Sequence, residues 1–283
     1  MIRACLLLLT SFALAACSSE PAREWPAPSP ALWEVSGPEG QRGWLFGTVH
    51  ALPDGVAWRT PALESALADS SVLVVEIADL TAGDGGLFDR LAHTSGQLPL
   101  TQRVEADERH ALSALMKRAG KQDSDFSDTE SWAAALILSS AIRSGDPANG
   151  VDRALIEAAG RVEGFESYSE QFAMFDTLSE EDQSDLLASV ASDADEGGNG
   201  GTVEAWLTGD MEVLDNALSR GMLEYPALRE VLVVRRNRVW AEQIDVMMAN
   251  ERPFVAVGAG HMVGAESLPA LLAERGYTVT RIQ

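Results

Sequence analysis

Residues 44–55 read WLFGTVHALPDG, and residues 254–267 read FVAVGAGHMVGAES. Each opens on an apolar run and passes through glycine and two small residues to a histidine. Two apolar residues and a turn-like segment follow in both. Histidine is scarce, four in 283 residues, so the matched placement of two of them decides how the chain is read. Past His50 the spacing predicts a helix from Pro61 to Ala68, with Thr60 as its N-cap, then a strand over Ser71 to Ile77, SVLVVEI. Past His261 it predicts a helix around Ser267 to Glu274 and a last strand over Tyr277 to Ile282. Both ends therefore read as β–(G-x-x-H)–α–β units, an internal repeat. The predicted fold is α/β, a mixed central sheet formed by two related halves with a helical insertion between them.

Outward from the first unit, Leu32 to Val35 and Gly43 to Phe46 flank Gly37-Pro38-Glu39-Gly40, the pattern of a hairpin. The insertion is predicted to hold helices over Glu105 to Ala119, Trp132 to Ile142, Gly150 to Ala159, Ser179 to Val190, Val203 to Leu218 and Pro226 to Ala249. Ser127-Asp128-Thr129-Glu130 has the form of a capping box ahead of the second. A short strand is expected over Arg161 to Phe165, ending at Glu166, and a flexible break over Asp193 to Thr202, DADEGGNGGT.

Loops at the carboxyl ends of strands are where α/β sheets gather functional groups. A G-x-x-H at a strand end puts its imidazole there, and packing of the two units about a pseudo-two-fold axis would make His50 and His261 face one another. Two imidazoles at one mouth can share a divalent metal; each could instead hydrogen-bond a backbone group at its strand end. Glu76 lies inside the apolar run VVEI, where a lone carboxylate is costly to bury. It is the leading candidate for metal ligand or general base, with Asp79 ranked below it. Glu166 ends the short strand and would reach the same rim. On the Pro226–Ala249 helix, Leu228, Leu232, Val239, Trp240 and Met247 mark the apolar stripe, and Arg236 falls on it. That cation either snorkels to solvent or stabilises anionic charge in a site. His93 and His110 stand in polar contexts that suggest no site.

The chain opens MIRACLLLLTSFALAAC, one arginine before an apolar or small run from Ala4 to Ala16 that is too short to span a bilayer. Leu14-Ala15-Ala16-Cys17 resembles a bacterial lipobox. That resemblance implies a signal peptide over residues 1–16, lipidation of Cys17, and a membrane anchor. Ser18 and Ser19 behind the cysteine favour the outer membrane, with the protein facing the periplasm. Residues 17–30 read as a Pro/Ser-rich tether, leaving residues 31–283 as the folded domain. Only two cysteines exist, and Cys5 leaves with the signal, so an internal disulfide or thiolate metal site is excluded and any metal must take nitrogen and oxygen ligands. A formal charge of −22 disfavours nucleic-acid partners.

LFGTVHALP, VLVVEI, GVDRALIEAAGRVEGFES, RRNRVWAEQI and VAVGAGHMVG with LLAERGYTV together resemble the TraB/GumN (TraB/PrgY/Tiki) family over roughly residues 30–283. The resemblance implies a fold akin to erythromycin-esterase-like and ChaN-like proteins. It also implies a metal-dependent hydrolase, a metallopeptidase of the cell envelope acting on a peptide or protein. His50, His261 and Glu76 would hold Mn, Co or Zn, and Glu166, Arg236 and Asn237 are further matching positions. Because ChaN-like relatives bind haem, the alternative is a non-catalytic envelope lipoprotein that binds haem or metal or acts through interactions.

Overall fold

A computed structural model describes residues 23–79, 86–195 and 200–283; the predicted signal peptide and the lipidation site Cys17 lie outside them. The hairpin forms as expected, β1 Leu32–Ser36 pairing antiparallel with β2 Arg42–Thr48. Thr60 accepts a hydrogen bond from Leu63 N–H and opens α1 Pro61–Asp69, which leads into β3 Val72–Val75. The insertion follows: α2 Leu87–Leu91, α3 Arg109–Arg118, α4 Ser131–Ile142, α5 Val151–Ala158, β4 Val162–Gly164, α6 Tyr168–Asp176, α7 Glu180–Asp195, α8 Gly200–Thr208 and α9 Met211–Leu218. Next come α10 Pro226–Arg229, a wide π-turn over Glu230–Val234, and α11 Arg235–Met248. The chain closes with β5 Pro253–Gly258, α12 Leu268–Glu274 and β6 Thr278–Arg281.

The sheet order is β4-β3-β5-β2-β1-β6, and only β1 runs against the others. The two glycine–histidine strands are direct neighbours, β2 parallel to β5 with Thr48 opposite Gly258. From β2 the chain passes α1 on one face and returns as β3, beyond β5. From β5 it passes α12 on the other face and returns as β6 at the far edge. The repeat is thus real in its elements but unequal in placement: β3 lies against β5, whereas β1 occupies the matching place beside β2 and pushes β6 outward.

Strand residues alternate between two buried faces. Trp44, Phe46, Leu73, Val75 and Phe254 pack under α1, α5 and α8, while Leu45, Val72, Val74, Val255 and Val257 pack under α11 and α12. All four residues of β3 are buried, each worth about 1.5–3 kcal/mol of transfer free energy, which is why this run tolerates no charge before its end. A separate apolar cluster joins α3, α4 and α7 in the helical insertion, with Leu228 and Leu232 closing it toward the sheet.

Several helix ends differ from expectation. Ser127 closes a short 3-10 turn, and α4 begins at Ser131 with Glu130 as an N-cap whose side chain makes no capping bond. The capping box falls instead at Ser167 and Glu170, opening α6, a helix the sequence reading lacks. The expected break over Asp193 to Thr202 is helical up to Asp195 and again from Gly200. Val203 to Leu218 is two helices, because Asp210 accepts from Val213 N–H and starts α9 afresh. In the last long helix, the π-turn adds a residue and rotates everything after it. The buried face downstream is Asn237, Trp240, Ala241, Ile244 and Met248, and Val239, expected on the stripe, is 48% exposed. Residues 23–30, within the expected tether, carry no regular secondary structure and lie on the domain through Arg23 to Glu204 at 2.6 Å and Ser29 N–H to the Leu207 carbonyl at 2.8 Å.

Candidate functional site

Four parallel strands end at one rim, and each delivers a polar side chain just past its last residue: His50 after β2, Glu76 after β3, Glu166 after β4 and His261 after β5. Phe165 N–H donates to the Val75 carbonyl and Glu166 N–H to the Glu76 carbonyl, both at 2.9 Å, so the two acids leave the sheet side by side.

Arg236 from α11 lies between them. Its Nε donates to Glu166 Oε1 at 2.8 Å and its Nη2 to Glu166 Oε2 at 2.9 Å and Glu76 Oε2 at 2.6 Å. Nη1 donates to the Leu232 carbonyl at 2.9 Å and to His261 Nε2 at 3.2 Å. All five guanidinium N–H groups thereby have acceptors. The guanidinium stacks 4.4 Å over the Trp240 ring, and the His261 ring lies 4.5 Å from the same indole.

His261 is buried, 5% exposed. Its Nδ1 donates to Asn237 Oδ1 at 2.6 Å, and Asn237 Nδ2 is tied to the Glu266 carbonyl at 2.8 Å, which fixes the amide's orientation. With Nδ1 as donor, Nε2 carries the lone pair. Burial, reinforced by Arg236, pushes this imidazole down to about 3, so it is neutral near pH 7.

His50 is its opposite. Its Nδ1 donates to Asp152 Oδ2 at 2.8 Å, and Thr48 Oγ1 donates to the other oxygen of that carboxylate. The ring lies on the cleft floor with its side chain 67% exposed toward the opening. The hydrogen bond to Asp152 is the main cause that raises it to about 9. Asp152 reaches it because Gly150 lets the start of α5 approach closely. A Cβ there would come within 2.6 Å of the His50 carbonyl oxygen, and Val151 N–H bonds the Val49 carbonyl at 2.9 Å.

Glu76 connects the two histidines. Its Oε1 accepts from Gly258 N–H at 2.8 Å and lies 3.9 Å from His261 Nε2, and its Oε2 also accepts from Gln171 at 3.3 Å. Burial works to raise this carboxyl, but His261, Arg236, His50 and the Gly258 N–H outweigh it and hold it at about 2. Since His261 is neutral near pH 7, the contributions that persist there are Arg236, the protonated His50 and the Gly258 N–H.

Gly258 explains why this motif begins with glycine. A Cβ on it would stand 3.2 Å from Glu76 Oε1, 3.8 Å from His261 Cδ2 and 4.0 Å from His50 Nε2. The space a side chain would fill is the space on which the two imidazoles and the carboxylate converge. The donor set and the hydrogen bonds behind it, carboxylate to His50 and amide to His261, suit a divalent cation. Counting Glu76, Glu166 and Asp152 against Arg236 and a protonated His50 leaves a local charge of −1, which becomes −2 once His50 releases its proton. No ready-made cluster of three His, Cys, Asp or Glu ligands is present among the described residues; a cation would draw the donors inward.

The cleft above has a volume of about 440 Å³ and is floored by His50 and Glu76, with Tyr168 and Gln171 from α6 on one wall. His261, Glu166 and Arg236 lie behind Glu76. Asp152, Thr48 and Gln171 escape a reading of the sequence. Asp152 alone carries a signal: it sits three residues before Leu155, on the same buried stripe of α5. His93, exposed, bonds the Asp128 carbonyl at 2.8 Å and takes no part.

This is an α/β protein with a histidine–carboxylate–arginine centre at the carboxyl ends of its parallel strands. The profile of the TraB/PrgY/gumN family matches residues 31–281, and the chain belongs to that family. Comparison with curated proteins and with solved structures finds no match.

Proposed function

We propose that the protein is a metal-dependent hydrolase of the cell envelope, a metallopeptidase, with His50 Nε2, His261 Nε2 and Glu76 Oε1 as the donors for Mn, Co or Zn. The observation that carries this reading is the convergence of those three groups on the hollow at Gly258. A divalent cation held there would supply an activated water and polarise the acyl carbonyl. Asp152 holds the His50 proton on Nδ1 and so directs Nε2 to the cleft; Asn237 does the same for His261. A carboxyl held at about 2 is a weak base, so we assign Glu76 to metal ligation. Arg236, with every donor engaged, keeps Glu76 ionised and aimed, and Glu166 keeps Arg236 in place. The fold kinship with erythromycin-esterase-like and ChaN-like proteins belongs to the same proposal, as does anchorage at the outer membrane through Cys17. No described helix is long and apolar enough to cross a membrane.

Elemental analysis of the purified protein tests it. One divalent ion per chain is expected, lost in a His50→Ala/His261→Ala variant together with peptide cleavage. Equal metal content in both proteins would sink the metal site. The exposed His50 on an open cleft floor favours a second reading, haem or metal binding without turnover. Haem titration followed by absorbance separates the two: a stoichiometric band lost on His50→Ala supports the second.

A further inference from the structure

The mouth of the cleft carries two cations that the centre does not use. Arg143 follows the last residue of α4, and Arg153 is the third residue of α5; both are exposed and both line the cleft beside His50. Arg153 directly follows Asp152 on α5, the buried carboxylate reaching His50 while the exposed guanidinium lines the cleft. Among the described residues neither guanidinium holds an ion pair or hydrogen bond. The nearby carboxylates are already taken. Glu76 and Glu166 are bound by Arg236, and Asp152 by His50 and Thr48. A chain with 43 acidic and 21 basic residues thus leaves two unpaired forks at the entrance to the cleft that His50 floors. Guanidinium forks match planar oxyanions in paired hydrogen bonds, and a concave, partly desolvated wall strengthens such contacts.

We propose that Arg143 and Arg153 form an anion-binding subsite, and that the peptides entering the cleft carry a carboxylate close to the bond to be cleaved. This rests on the peptidase reading above and supplies its substrate class. The carboxylate can belong to an aspartate or glutamate side chain or to a free C-terminus. Both present the same planar oxyanion to the two forks.

The test is retention of a randomised octapeptide library, half of it C-terminally amidated, on the immobilised full-length protein with chelator present, read by mass spectrometry. Peptides with a carboxylate should be enriched about tenfold over neutral ones, the size of one good charge-assisted contact. Enrichment should vanish in Arg143→Gln/Arg153→Gln protein that melts like the wild type. For the unmutated protein it should decline steeply with added salt. Acidic side chains enriched in the amidated half identify the side chain as the anion; enrichment confined to the non-amidated half identifies the C-terminus. No enrichment, or enrichment that survives the double substitution and high salt, overturns the subsite. Selective retention with no cleavage after metal is restored keeps the subsite and removes the peptidase reading. Cleavage with no acidic preference does the reverse.

Discussion

His50 and His261 follow neighbouring parallel strands in the same G-x-x-H sequence, the first just past β2 and the second in a 3-10 turn after β5, yet they reach opposite protonation states. His50 faces the cleft, is backed by the Asp152 carboxylate and is raised to about 9. His261 is buried, is backed by the neutral Asn237 amide, touches Arg236, and is lowered to about 3. Motif identity fixes where the ring sits; the partner on Nδ1 and access to water fix its charge. The pair therefore offers one neutral imidazole, whose Nε2 would exchange its contact with Arg236 for a cation, and one that must first release a proton. Metal uptake should for that reason strengthen as pH rises toward 9.

The largest way to break the contrast is through Arg236. Arg236→Met leaves Glu76 and Glu166, both largely buried, without their shared counter-charge. A loss of about 3–5 kcal/mol is expected from removing one partner of a buried pair, measurable by urea unfolding. Arg236→Met combined with Glu166→Gln should cost less than the two separate losses added together.

Acid is the next strongest probe. The unfolded chain protonates His261 near its ordinary 6.5, whereas the folded protein resists until about 3. Stability is therefore complete above 6.5 and declines as pH falls toward 3, by about 2 kcal/mol between pH 6.5 and 5 for one proton. Glu76 acts in the same direction further down: its contribution is intact above 4.5 and is lost as pH falls through about 2. His261→Gln should remove the step between pH 6.5 and 5. A step that persists would assign it to another group.

These two probes also show what the sequence could and could not reveal. His50, His261 and Glu76 were legible because each interrupts an apolar strand pattern, where a polar residue needs a reason. Arg236 was legible for the same cause on a helix. Its neighbours were harder. The π-turn at Glu230–Val234 leaves no mark in residue type, so an unbroken α-helical period puts Val239 on the stripe where the structure has Asn237 and Ala241. Asp152 shows only its place on the buried stripe of α5 and otherwise looks like any acid in the first turn of a helix, where carboxylates are ordinary; contact across 102 residues of chain gives it its role. Ser127 to Glu130 had the letters of a capping box, but Phe126 is drawn into the helical cluster and the turn ends there as 3-10.

A smaller change would make the histidines alike. Asp152→Asn replaces the carboxylate behind His50 with an amide, the arrangement His261 already has. Its imidazole should move from about 9 toward 6.5, followed by NMR of the ring Cε1–H. The stability that this interaction provides is full below 6.5 and is lost as pH rises through 9. Because the ring is 67% exposed, solvent screening limits it to less than about 1 kcal/mol. A His50 titration unmoved by the substitution would show that Asp152 does not control it.

The smallest structural effect should accompany the largest functional one. His50→Gln removes a side chain that contacts solvent over most of its surface and fills no part of the core, so stability should change by about 0.5 kcal/mol or less. Asp152 keeps its bond from Thr48, and a glutamine amide can replace the imidazole N–H. Metal content, by contrast, should fall to background, since only His261 and Glu76 remain as donors and both are already engaged with Arg236. The same substitution at His261 should lower both quantities, because there the ring is buried and packed against Trp240. Should His50→Gln and His261→Gln prove equally destabilising, the division between a solvent-facing ligand and a buried one would not hold, and the cleft floor would have to be part of the core.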